Sequence, residues 1–174
     1  MPEIMDRENN NLLKETFRLF YEKHSAGFLN FIRKTCGGDH TLASDIFQES
    51  FFRLFRSSPA GLNEYQLKAW LYKTAYRLII DEKRKKREEA LDVDMIGDET
   101  GSAHSQDLQI DMDKIFRQLK ERERSLLWMA HVEGYTHREI SRITGLNEKS
   151  IKVTLFRLRK KFARILIKSG FEGG

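Results

Sequence analysis

Apolar and polar positions along the chain fall into blocks at helical spacing, separated by turn residues. From Thr136 to Arg164 the sequence THREISRITGLNEKSIKVTLFRLRKKFAR predicts a short helix, a tight turn and a longer helix. Thr136 is placed to cap the first helix, and Glu139 three residues on completes a capping box. In Gly145-Leu146-Asn147, the glycine is free to take a left-handed backbone and Asn147 can cap the helix that follows. Ile151, Leu155, Leu158 and Phe162 then recur at four, three and four residues, a single apolar stripe. Two helices joined by a short turn containing glycine form the helix-turn-helix, whose second helix enters the DNA major groove.

The same periodicity runs upstream. Leu12 to Glu22 and Ser25 to Cys36 give two amphipathic patterns rich in Phe and Leu, the second broken by Gly37-Gly38-Asp39. A third helix is expected over Thr41 to Arg56, with Phe47, Phe51, Leu54 and Phe55 as its core stripe. Ser57 to Gln66, SSPAGLNEYQ, reads as a loop. Leu67 to Glu89 forms a fourth helix, its buried stripe made by Leu67, Leu71, Ala75 and Leu78. Ile110 to Leu119 and Glu121 to Val132 are two more, and with the helix-turn-helix they make a four-helix domain. Two prolines in 174 residues and little β-branched alternation point to an all-α protein. The expected organisation is a flexible N-terminus over 1–10, a helical domain over 11–87, an acidic flexible linker over 88–107, a helix-turn-helix domain over 108–170 and a tail over 171–174.

Charge sharpens this picture through its placement. The net charge is only +5, from 31 Lys and Arg against 26 Asp and Glu. Yet the polar side of the longest C-terminal helix carries only cations, with two apolar side chains among them: Lys149, Lys152, Val153, Phe156, Arg157 and Lys160. Cations neutralise phosphates, and an apolar side chain can touch a thymine methyl. On the fourth helix Trp70, Lys73, Arg77 and Arg84 lie to one side, and Tyr72, Tyr76 and Lys83 to the other. Aromatics interleaved with cations suit single-stranded nucleic acid, on whose bases rings stack; buried core is the competing reading for Trp70 and Tyr72. The run Lys83 to Arg87 at the expected helix end complements the macrodipole and leaves cations over for phosphate. From Glu88 to Asp113 there is no Lys or Arg. On the third helix Asp45, Gln48, Glu49 and Phe52 share a face, which is either a partner-docking patch or a Phe tucked against a neighbouring helix.

Other chemistries find little to build on. Cys36 is the only cysteine, and the five histidines lack metal-ligand spacing. No cofactor is expected. No apolar run reaches transmembrane length and the N-terminus is unlike a signal peptide, so a cytoplasmic protein without membrane insertion is expected.

Taken together these blocks resemble the bacterial RNA polymerase sigma factors of the small, extracytoplasmic-function (ECF) kind. DIFQESFFRLF (Asp45 to Phe55) is similar to the family's clamp-docking helix, and AWLYKTAYRLIIDEKRKKR (Ala69 to Arg87) to its promoter-melting, −10-reading helix. ERERSLLWMAHVEGYTHREISRITGLNEKSIKVTLFRLRKK (Glu121 to Lys161) resembles its −35-reading domain. The resemblance implies that Asp45, Gln48, Glu49 and Phe52 bind core polymerase. It implies a flipped −10 base held by the loop bearing Ser57, Pro59, Gly61, Asn63 and Tyr65, and a melted strand along Trp70, Lys73, Arg77 and Arg84. It places Lys149, Lys152, Val153, Phe156, Arg157 and Lys160 at the −35 major groove, and makes an anti-sigma partner expected. Arg77 stands where the family commonly has Asn, and Val153-Thr154 replaces the usual Ser-Arg, so base preference need not follow the family.

A magnitude bears on how such a protein works. Two turns of B-DNA span about 68 Å. A flexible tether of about two dozen residues averages roughly 25–30 Å and reaches about 80 Å only when fully extended. Modules two turns apart therefore need something to hold the linker out, as a polymerase would. The competing reading is a free-standing helix-turn-helix regulator that binds a palindrome as a dimer; the long N-terminal domain and the lack of a dimer seam weigh against it. An enzyme acting on nucleic acid finds no metal cluster, nucleophile–base pair or phosphate loop.

Overall fold

A computed structural model describes residues 2–57, 59–92 and 112–170. Among them are seven α-helices and no strand: α1 (Pro2–Thr35), α2 (His40–Ser57), α3 (Glu64–Asp92), α4 (Met112–Arg117), α5 (Glu121–His131), α6 (His137–Thr144) and α7 (Glu148–Lys168). The expected linker lies outside the described residues beyond residue 92, as does the tail over 171–174.

An aromatic cluster joins α1, α2 and α3. Phe28 and Phe31 are buried and meet Tyr72 at 5.3 and 4.6 Å between ring centroids, while Phe28 also meets Phe51 edge-on at 5.5 Å. Such ring pairs add roughly 0.5–1.5 kcal/mol each beyond the area they bury. The C-terminal helices close over Leu126, Met129, Ile140, Ile151 and Leu155, all buried. Phe116 of α4 meets Phe162 of α7 at 6.0 Å.

Several expectations are corrected. The two amphipathic patterns before Gly37 are one helix, and it includes residues 2–10, expected as a flexible end. Pro2 suits a first helical turn, and no Gly or Pro interrupts the chain until Gly27. Residues 3–16 are exposed throughout, so this arm is held by local bonds such as Arg18 to Glu15 and Glu22. The loop after α2 is shorter than expected: Asn63 caps α3, its Oδ1 accepting from the Gln66 amide at 2.8 Å while Gln66 Oε1 accepts from the Asn63 amide at 3.0 Å. Helix α3 continues through Glu88 and Glu89 to Asp92, past the expected start of the linker. Its run of cations is therefore inside a helix, where no end-dipole is present to attract it. Phe55 is 53% exposed although it meets Phe17 at 5.2 Å; Ala43, Ile46, Phe51 and Leu54 form the buried stripe of α2 instead.

The two groups of helices, α1–α3 and α4–α7, also pack on each other, with α3 against α5 and α6 and α1 against α5. Tyr72, Tyr76 and Lys83, the second aromatic and cationic side of α3, face this seam. Tyr72 Oη donates to Glu133 Oε1 at 2.5 Å, Lys68 Nζ lies 2.6 Å from Glu133 Oε2, and Lys83 Nζ lies 3.1 Å from Glu121. The Arg124 side chain, 4% exposed, donates through Nε to the carbonyl of Thr35 at 2.9 Å and through a terminal nitrogen to that of Leu119 at 2.6 Å. A cation thus closes the carbonyl end of α1.

Candidate nucleic-acid and partner-docking faces

The local signals of the helix-turn-helix hold in three dimensions. Thr136 Oγ1 accepts from the Glu139 amide at 3.2 Å, and the Glu139 carboxylate accepts from the Thr136 amide at 2.7 Å. Gly145 has φ 76° and ψ 4°, a left-handed turn that any side chain would strain. Asn147 Oδ1 accepts from the Lys149 amide at 2.9 Å, opening α7. Ser141 Oγ donates to the Leu146 carbonyl at 2.6 Å, which fixes the turn between α6 and α7.

Burial of Ile151, Leu155 and Leu158 sets the rotation of α7 and turns the opposite face outward. Lys149, Lys152, Val153, Phe156, Arg157 and Lys160 are all exposed there. Val153 and Phe156 are 48% and 55% exposed, and Lys160 Nζ lies 4.6 Å from the centre of the Phe156 ring. Cation and ring therefore sit as one unit on the surface. Beyond Arg157 the same surface continues as a concavity lined by Gln118, Lys161, Arg164 and Lys168, contributed by the α4–α5 junction and the end of α7. Gln118 gave no signal in the sequence because it meets α7 only through the fold.

On α3, Arg77 and Arg84 are exposed, Lys73 is half-buried, and Trp70 packs against the core cluster with one side still accessible. Arg84 has Asp81 at 3.5 Å and Lys86 has Asp39 at 3.3 Å, both at the surface. Together with Lys83 on Glu121, three of the five consecutive cations have a carboxylate neighbour. Of the loop residues, Pro59 is half-buried and Gly61 exposed with φ 75°. Ser57 is the last residue of α2, and Asn63 is committed to its cap. Tyr65 stands in the first turn of α3 and points to the C-terminal helices, 5.9 Å from the Tyr135 ring; desolvation and a hydrogen bond to Glu139 push its hydroxyl up to about 12.

On α2, Asp45 and Gln48 are exposed and Phe52 is 57% exposed, so this Phe does not tuck under a neighbouring helix. Glu49 is half-buried and receives Arg53 Nε at 2.5 Å. A second apolar surface, unremarked in the sequence, is a groove between α4, α5 and α7 lined by Met112, Phe116, Trp128, Val132, Phe162 and Leu166. Its faint signal was Val132, an apolar residue 60% exposed at the end of α5.

Among the described residues no group of His, Cys, Asp and Glu is arranged to hold a metal ion. Burial pushes the Cys36 thiol up to about 12, with Asp39 adding to the effect, which leaves it a poor nucleophile at neutral pH. No helix is long and apolar enough to cross a membrane among the described residues.

Comparison with known proteins matches two stretches of the chain. Residues 20–89 match the family described as "Sigma-70 region 2" and residues 110–162 match "Sigma-70, region 4". The ECF RNA polymerase sigma factor SigM of Bacillus subtilis is 27% identical over 132 residues, covering 71% of this chain and 78% of that protein. RNA polymerase sigma factor SigV of the same organism is 28% identical over 123 residues, covering 68% and 72%. In fold, the chain is similar to the sigma factor RpoE of Bartonella quintana, solved in complex with the anti-sigma factor NepR. The TM-score is 0.72 at 22% identity, covering 87% of this chain and 97% of that one.

Proposed function

The chain belongs to the sigma-70 family of RNA polymerase sigma factors, in its extracytoplasmic-function branch, and on that premise we propose that it directs core RNA polymerase to promoters with −35 and −10 elements and helps to open the −10 region. It acts as a regulator of transcription initiation and performs no covalent chemistry of its own. The exposed cationic face of α7, with Val153 and Phe156 at its centre, is the observation that carries this reading. A helix in the major groove needs this combination: cations for the backbone on both sides and apolar or bidentate contacts for base edges.

The N-terminal module supplies the rest of the reading. Trp70, Lys73, Arg77 and Arg84 track the melted −10 strand, and the loop between α2 and α3 takes a base rotated out of the stack. The exposed Phe52 with Asp45, Gln48 and Glu49 docks on polymerase. An anti-sigma factor is a further partner of this class, as NepR is for the Bartonella protein.

Run-off transcription with purified core polymerase on a library of promoter fragments tests the proposal. The expected result is initiation dependent on the added chain from a subset of fragments that share two elements about two helical turns apart. Binding to a symmetric operator without polymerase, and no effect on initiation, would replace it with the dimeric-regulator reading.

A further inference from the structure

The concavity that begins at Arg157 holds positive charge for which the fold itself has no use. Arg157, Lys161, Arg164 and Lys168 recur at four, three and four residues, one unbroken row along the second half of α7. Gln118 flanks the row from the α4–α5 junction. Lys161 is paired with Glu123 at 2.9 Å. Arg157, Arg164 and Lys168 are exposed, and among the described residues none of them has a carboxylate at ion-pair distance. Arg164 donates through Nε to the Lys160 carbonyl at 3.4 Å, which leaves its two terminal nitrogens for another acceptor. The helix dipole attracts cations within the last turn only, which accounts for Lys168 but not for Arg157 or Arg164.

An anion fits this chemistry, and the position of the row says which anion. The buried stripe of Ile151, Leu155 and Leu158 fixes the outward direction of α7. At about 100° per residue, Arg164 lies within about 35° of that direction, on the same side as Val153 and Phe156. At about 1.5 Å per residue, Arg164 stands about 16 Å and Lys168 about 22 Å along the axis from Val153. The major groove is about 12 Å wide and winds round the duplex, whereas a helix runs on nearly straight. With Val153 and Phe156 at base edges, the end of α7 therefore climbs out of the groove and meets the phosphates of the strand that borders it. An acidic protein segment is the competing ligand. Protein interfaces have apolar or aromatic centres, and this concavity offers only the half-buried Ile165. Contacts to phosphate need no more than cations and neutral donors such as Gln118.

We propose that Gln118, Arg164 and Lys168 form a clamp for the backbone of duplex DNA beside the element that the first half of α7 reads, adding affinity without adding sequence preference. The inference rests on the reading of α7 as the −35 helix for its place on the promoter, but the grip on phosphate can be measured on any duplex. The full chain with Arg164→Gln and Lys168→Gln is compared with the parent by fluorescence anisotropy over a series of salt concentrations. Two probes are used: a random-sequence duplex, and a −35 duplex taken from a fragment that initiates in the run-off assay. Each lost phosphate contact lowers the slope of log affinity against log salt by about 0.9, so the pair should lower it by about 1.8 on both probes. Affinity near physiological salt should fall by the same factor on both, on the order of tenfold. Arg7→Gln with Lys14→Gln, two exposed cations of α1, removes the same net charge and should leave the slope unchanged. Of the two flanks of the −35 duplex, trimming one to the edge of the element should weaken the parent more than the double variant. An unchanged slope on the random duplex, or a loss confined to the −35 duplex, overturns the clamp. So does a double variant that binds DNA as the parent does but no longer assembles with core polymerase, which would make the row a protein-docking patch. If no fragment initiates, the sigma-factor reading falls, and the random duplex still decides whether the row grips phosphate.

Discussion

Arg157, on the proposed DNA-facing side of α7, separates two ways of touching DNA. It is exposed on the outward face of α7, one residue from Phe156, and it borders the concavity that continues to Arg164. If it reads a base edge, Arg157→Ala costs about 1–3 kcal/mol on a cognate −35 duplex and much less on a scrambled one. Equal loss on both, seen by fluorescence anisotropy, makes it a phosphate contact. Gly37 is a second position where one atom decides. Its φ of 66° disfavours any side chain, and a Cβ there would stand 3.0 Å from an Arg124 terminal nitrogen. Gly37→Ala should destabilise the chain by roughly 1–2 kcal/mol from the backbone alone, and further if Arg124 is displaced from the Thr35 carbonyl; urea denaturation measures the sum. Thr136, Gly145 and Asn147 were legible in the sequence because each acts on amides within three or four residues. Arg124 was not, because the carbonyl it caps is 89 residues away.

At the level of the helix, periodicity reads faces well and occupants poorly. The two sides of α3 were distinct in the sequence, yet nothing local could say that one of them, Tyr72 with Tyr76, faces α5 and α6, with Lys83 at its exposed rim. The length of α1 was hidden for a different reason. Its first half buries nothing, so no apolar stripe announced it, while the absence of Gly and Pro let the helix run on. The Phe52 patch on α2 was readable because Asp45, Gln48, Glu49 and Phe52 share a face that the core stripe leaves out. Reversing Asp45 and Glu49 to Lys should abolish binding to core polymerase and leave the affinity of the full chain for a −35 duplex unchanged. Gel filtration with core enzyme and anisotropy with the duplex check the two halves, and undiminished assembly would remove α2 from the docking surface.

For the molecule as a whole, the stability of the contact between the two groups of helices depends on pH. Burial works to raise the Glu133 carboxyl, but bonds from Lys68 and Tyr72 of α3, with Trp128 of α5, outweigh it and hold the group below the usual carboxylate range. In the unfolded chain Glu133 loses these partners, and its value returns to the ordinary carboxylate range. A depressed value in the folded form means that its contribution to stability is complete above the ordinary carboxylate range and is lost as pH falls through the depressed one. Acidification should therefore destabilise the parent in that window by more than it destabilises Glu133→Gln, as urea denaturation at a series of pH values would show; parallel curves would mean that other carboxylates set the response. Lys83 on Glu121, and the ion pair of Lys34 with Asp113, are partly exposed seam contacts that salt weakens first.

Helix α3 turns a different stripe to each of three neighbours. Leu71 and Ala75 look into the N-terminal core, Tyr72 bridges that core to Glu133 of the C-terminal module, and Arg77 and Arg84 face outward. Because the outward stripe carries none of the buried contacts, substitutions at Arg77 and Arg84, to which the proposed −10 contacts are assigned, can alter promoter choice at little risk to folding. Arg77, where the resemblance implies an Asn, falls on that outward arc.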